Sequence, residues 1–203
     1  MNIFDTLKRI AGSAVKKEAT KVVNNTVNNA VKAVGKGRNH SESFTFASLP
    51  NNVEELKALP EASLDSAFKT TALTIAVLCR YEESPEETFE MLNFLKGPAQ
   101  VSGQEKQFIK EKLGGKRYKA LSYFAGATPQ NGYTPNVPYT ITVSENPYSF
   151  DNEDWATLYV TSGGADNPRT MKLRKKPSTG QWFLNDIQCL SDIRLPVEED
   201  PWA

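Results

Sequence analysis

From Phe124 to Pro135 the chain reads FAGATPQNGYTP, and across this stretch the spacing of apolar residues changes character. Before it they recur every three to four residues, as on a helix face; after it they alternate, as on a half-buried strand. Two prolines, two glycines and the Asn131-Gly132 step keep the stretch out of any regular element. Tyr123, Phe124 and Tyr133 give it aromatic ends that pin to a core. It therefore reads as a rigid hinge between a helical layer and a sheet. Helices first and strands second predict an α+β fold, with the helices packed on one face of an antiparallel meander.

The helical half is punctuated clearly. Asn52 followed by Glu55 starts a short helix that Pro60 closes. Ser63 is expected to open the longest body helix, whose stripe Leu64, Phe68, Ala72, Ile75 and Cys79 is widened by Leu73, Val77 and Leu78. So apolar a helix is buried on more than one side. Ser84-Pro85-Glu86-Glu87 and Ser102 with Glu105 start two more, stopped by Gly97-Pro98 and Gly114-Gly115. The acidic run Glu82–Glu90 suits the positive end of a helix dipole. Phe44-Thr45-Phe46 fits a short strand. In the second half, Tyr139–Val143, Trp155–Thr161, Thr170–Arg174 and Gln181–Leu184 alternate as strands, with Gly163-Gly164 and Lys176–Gly180 as turns. Ile187, Leu190 and Ile193 form a last apolar tether.

The N-terminal segment differs chemically. Residues 1–38 hold eight basic and two acidic side chains, a net of +6, and because the whole chain is neutral the remainder carries −6. Apolar residues from Phe4 to Val34 recur roughly every 3.75 residues, beyond the 3.6 of a straight helix and the 3.5 of a heptad coil. Residues 1–36 are expected to form a basic amphipathic helix, 37–43 a linker and 44–203 the α+β domain. Phe4, Leu7 and Ile10, with Lys8, Arg9, Lys16, Lys17 and Lys21, are the expected contact residues. Their surface is a protein partner, a second copy of the chain, the acidic body itself or an anionic membrane.

Material for catalysis is thin. The single histidine, His40, lies in the polar linker, and Cys79 and Cys189 sit in apolar surroundings, so neither a metal site nor a Cys/His pair is expected. Asp151-Asn152-Glu153-Asp154 lacks the spacing of a calcium loop and reads as a polar turn. Lys172, Arg174 and Lys176 are expected to share a solvent face of one strand. No segment approaches the ~18 apolar residues of a membrane span, and Met1–Gly12 does not read as a secretory signal. A cytoplasmic protein, peripheral at the membrane if its helix binds lipid, is expected.

The segment from Ser122 to Pro135, with Pro138-Tyr139-Thr140-Ile141-Thr142-Val143 after it, resembles a family of bacterial proteins described only as a domain of unknown function. The resemblance extends from about Phe44 to about Pro196 and implies no catalytic residues or cofactor. The helices followed by a meander ending Lys172-Leu173-Arg174 and Gly180-Gln181-Trp182-Phe183-Leu184 are also similar to nuclear-transport-factor-2-like α+β domains, which implies a pocket between helices and sheet.

Two functions follow as expectations. The first is a non-enzymatic interaction module attached through its N-terminal helix. The alternative is a small-molecule-binding or enzymatic pocket lined by Tyr118, Tyr123, Tyr133, Tyr139 and Trp155. Nucleic acid is disfavoured by the acidic body.

Overall fold

The computed structural model describes residues 39–202. The expected amphipathic helix over 1–36, with its contact residues, lies outside the described residues. Strand β1 (Ser41–Phe46) opens the body and is followed by α1 (Val53–Ala58), α2 (Ala67–Leu78), α3 (Pro85–Lys96), α4 (Gly103–Leu113) and α5 (Tyr118–Leu121). Then come β2 (Tyr139–Ser144), β3 (Trp155–Val160), β4 (Arg169–Lys175) and β5 (Trp182–Ile187). The strands form one antiparallel sheet in the order β1-β2-β3-β4-β5, an α+β fold. Among the described residues no helix is long and apolar enough to cross a membrane.

β1 begins at Ser41, inside the stretch expected to be linker. Its polar start is held by cross-strand pairing rather than burial: Ser43 and Thr142 share a hydroxyl hydrogen bond of 2.8 Å, and Thr45 and Thr140 one of 3.1 Å. Phe44 and Phe46 supply the core-facing side.

The expected helix starts hold at three places. Asn52 Oδ1 accepts from Glu55 N at 2.9 Å, Ser84 caps α3 with Pro85 behind it, and Ser102 and Glu105 form a complete capping box on α4. The fourth moves: α2 is capped by Ser66, not Ser63. Pro60–Ser63 is a 3-10 turn, and Leu64 adopts a left-handed φ of 54° that no helix can contain. That geometry buries the Leu64 side chain and turns its carbonyl to accept from Trp182 N at 2.7 Å.

Helix α2 is the centre of the molecule. Every residue from Ala67 to Leu78 except Lys69 is buried, between the sheet and helices α3 and α5. Three threonines survive there because their hydroxyls are satisfied. Thr71 donates to Ala67 O at 2.9 Å, Thr74 to Thr70 O at 2.7 Å, and Thr70 to Trp182 O on β5 at 2.7 Å. Each large aliphatic side chain placed in this core contributes about 1.5–3 kcal/mol.

Strands β2 and β3 pair only at Val143↔Val160 and Ser144↔Tyr159. The backbone left unpaired is taken up by loops, as buried amides require. Ala125 N donates to Thr140 O at 2.8 Å, Asn136 N to Ala125 O at 2.9 Å, and Thr157 N to Ser149 O at 2.9 Å. The hinge loop is thus an edge cover for β2. Asn131 organises it, its amide donating to Gly126 O and Thr134 O while its side-chain oxygen accepts from Thr128 N. Gly163 and Gly164 pack against it so closely that a Cβ at either would overlap Ala127 O or Tyr133 Oη.

Tyr133 is fully buried in this joint, and its hydroxyl donates to Arg194 O at 2.8 Å. Tyr133→Phe is expected to lower stability by about 1 kcal/mol, the net worth of one such bond. For a body of this size that is about 2–4 °C in thermal midpoint, measurable by circular dichroism. An unchanged midpoint would show that the hydroxyl adds nothing to the joint.

Candidate functional site

Lysine is rarely buried, yet Lys96 is only 7% exposed. It closes α3 four residues after Leu92, on the same buried stripe. Its Nζ donates to Glu105 Oε1 at 2.6 Å and to Asn185 O on β5 at 3.3 Å, leaving one of three donors. Glu105 uses its other oxygen to accept from Ser102 N and Oγ, both at 2.8 Å. One carboxylate therefore caps α4 and neutralises a cation rising from α3. Burial works to raise the Glu105 pKa, but the bonds from Lys96 and Ser102 outweigh it and hold the group below its ordinary value.

The α3–α4 connection is fixed against β5. Gly97 takes φ +58° and lies against the Phe183 ring, where a Cβ would come within 2.5 Å. Gly97 N donates to Asn93 O at 3.0 Å, and Asn93 Oδ1 accepts from Val101 N at 2.8 Å. A cleft opens on each side of Lys96. One, of about 230 Å³, lies between α3, α4 and β5, with Leu92, Phe108, Ile109 and Ile187 as apolar walls. The other, of about 290 Å³, is walled by Pro98, Pro177 and Phe183 and edged by Arg174, Lys175 and Lys176.

Lys172 and Arg174 alternate with buried Met171 and Leu173 on one side of β4, whereas the cleft is edged by the consecutive Arg174, Lys175 and Lys176. Lys172 lies opposite Asp186 and away from the cleft, while Lys175 lines it. Between Lys172 and Leu173 the partner strand takes one extra residue, Asn185, so the bulge lies on β5 and β4 keeps its alternation. Arg174 lies over the Trp155 ring at 5.1 Å and Lys175 over Trp182 at 5.8 Å, which steadies both chains.

The five aromatic residues expected to share a pocket are spread out, and neither cleft is lined by any of them. Tyr118 and Tyr133 do meet, stacked at 5.4 Å. Tyr123 is buried, and its hydroxyl donates to Cys189 O. Tyr139 sets its edge on Phe124 at 5.6 Å. Trp155 is 37% exposed. The single corner where β2 meets β3 puts Tyr139 and Trp155 about 30 Å apart along the strands. Cys79 and Cys189 are free and buried, and burial pushes both thiols up to about 12. Among the described residues no group of three or more His, Cys, Asp or Glu side chains is placed to hold a metal.

Sequence reasoning missed Lys96. The available signal was a lysine in register with Thr88 and Leu92 on a buried stripe, a short step before a capping box whose glutamate could meet it. Residues 48–197 match the family described as Domain of unknown function (DUF6935). No curated protein matches the chain, and no solved structure matches it.

Proposed function

We propose that this chain, which belongs to the domain-of-unknown-function family DUF6935, is a non-enzymatic interaction module held to its target by the basic segment 1–36. The observation that carries this reading is the charge division: +6 in residues 1–38 against −6 in the rest. On the body, Glu82, Glu86 and Glu90 are exposed beside the start of α3, and no ion pair among the described residues engages them. A second copy's basic segment would find complementary charge there. An anionic bilayer is the other surface that suits the same lysines, each worth about 1 kcal/mol near the head groups. On this reading the protein works in the bacterial cytoplasm, peripheral to the membrane in the lipid case.

A peptide of residues 1–36 decides between the two by circular dichroism. Helicity gained on anionic vesicles at low salt and lost at high salt assigns the membrane. Helicity that rises with peptide concentration in buffer, or on adding the separate body of residues 39–203 at low salt, assigns self-association. Absence of both responses would sink these two forms of the reading.

The clefts around Lys96 favour a second reading, a small-molecule-binding domain. Such a cleft between helices and sheet is in keeping with the resemblance to nuclear-transport-factor-2-like domains.

A further inference from the structure

We propose that the cleft between the α3–α4 connection and the β4–β5 hairpin binds a small organic anion, its oxyanion head group held by Lys96, Arg174, Lys175 and Lys176 and its apolar body laid on Phe183. This develops the small-molecule reading and is independent of what residues 1–36 do.

The charge pattern is the first support. Four of the ten side chains lining the cleft are cationic and none is acidic, although the body as a whole is acidic. Lys96 is neutralised by Glu105, which lines the neighbouring cleft, whereas no ion pair among the described residues involves Arg174, Lys175 or Lys176. Unpaired cations around a concave, low-dielectric wall repel one another and concentrate an anion. The build of the floor is the second. Lys96 is held by two bonds with a donor left, so little freedom remains to be lost when a ligand binds. Arg174 and Lys175 are steadied by the faces of Trp155 and Trp182. The walls decide the rest of the ligand. Pro98, Pro177 and Phe183 are apolar, so a bare inorganic ion would leave them wet. A volume of about 290 Å³ is at the small end of ligand pockets, about 300 Å³ upward, which suits one ring or short chain with one head group.

The test is a titration of the full-length chain, followed by amide and Phe side-chain NMR shifts, with phenyl phosphate, benzoate, phenol and inorganic phosphate. Phenyl phosphate or benzoate should saturate with shifts at Phe183, Lys96 and residues 174–176. Phenol and inorganic phosphate should each bind at least about tenfold more weakly, since each lacks one half of the recognition. The tighter of the two organic anions identifies the head group, and either supports the proposal. Arg174→Ala with Lys176→Ala should weaken binding at least about tenfold while leaving the remaining spectrum in place. Should that pair fail to fold, Lys176→Glu in the exposed turn serves alone. Phenol binding as well as phenyl phosphate, unchanged affinity in the variants, or no saturable shift with either organic anion would each overturn it.

Discussion

Gly163→Ala is expected to lower the thermal midpoint of the protein by about 6–12 °C. The new Cβ would overlap the Ala127 carbonyl oxygen, which belongs to backbone and cannot swing aside. Relief requires either the β3–β4 turn or the hinge loop to move. Both are tied: Gly163 N donates to Ser122 O at 2.8 Å, Gly164 N to Ser162 Oγ at 3.0 Å, and Ser162 Oγ to Ser122 Oγ at 2.7 Å. Overpacking costs about 1–3 kcal/mol where side chains can adjust. Here loss of the Gly163–Ser122 bond adds to it, for a total of about 3 kcal/mol, and each kcal/mol is worth about 2–4 °C in a domain of this size. Thermal unfolding followed at 222 nm measures it. A shift below 2 °C would mean that the turn and loop are not the rigid joint described above.

Glu105→Ala is expected to lower stability by about 2 kcal/mol and to change its pH dependence. It removes the capping-box partner of Ser102 N and leaves a nearly buried ammonium with one carbonyl. Breaking a fully buried pair costs about 3–5 kcal/mol, but Glu105 is 38% exposed, so water screens part of the loss. The sign with pH follows from the lowered pKa. Stability from this carboxylate is complete above the ordinary 4.5 and disappears as pH falls through the lower folded value. Glu105→Gln, which can still cap, should remove the acid-side slope and keep more of the stability than alanine does. Urea unfolding between pH 3 and 7 separates the two contributions. Parallel curves for wild type and Glu105→Gln would refute the linkage.

What the sequence revealed about this molecule was local. Ser84-Pro85 and the Ser102–Glu105 box are short-range contacts, so spacing alone located them. The meander strands were legible because one face of each is buried. The start of α2 was misplaced because Ser63 and Ser66 are equally good caps. The choice between them rests on Leu64, whose carbonyl bonds Trp182 more than a hundred residues on. Helix α5 was missed for a similar reason. It has four residues and no side-chain cap, and is held by Tyr118 on Tyr133 and by Arg117 Nη1 donating to Glu83 Oε1 at 2.6 Å. The clefts join residues about eighty positions apart, which no local spacing reveals. The tyrosines were read as pocket lining because nothing nearby in sequence reveals that Tyr123 and Tyr133 tie down backbone carbonyls of Cys189 and Arg194.

The position of β1 also sets an order of assembly. Its partner strand lies beyond all five helices, so that Ser43 and Thr142 meet across 99 residues. Closing so long a loop is entropically slow, whereas the β3–β4–β5 hairpins and the α3–α4 pair close over short ones. The β1–β2 pair is therefore expected to form after those hairpins and to join the rest of the sheet through the two-residue β2–β3 corner, the seam along which the sheet parts most easily.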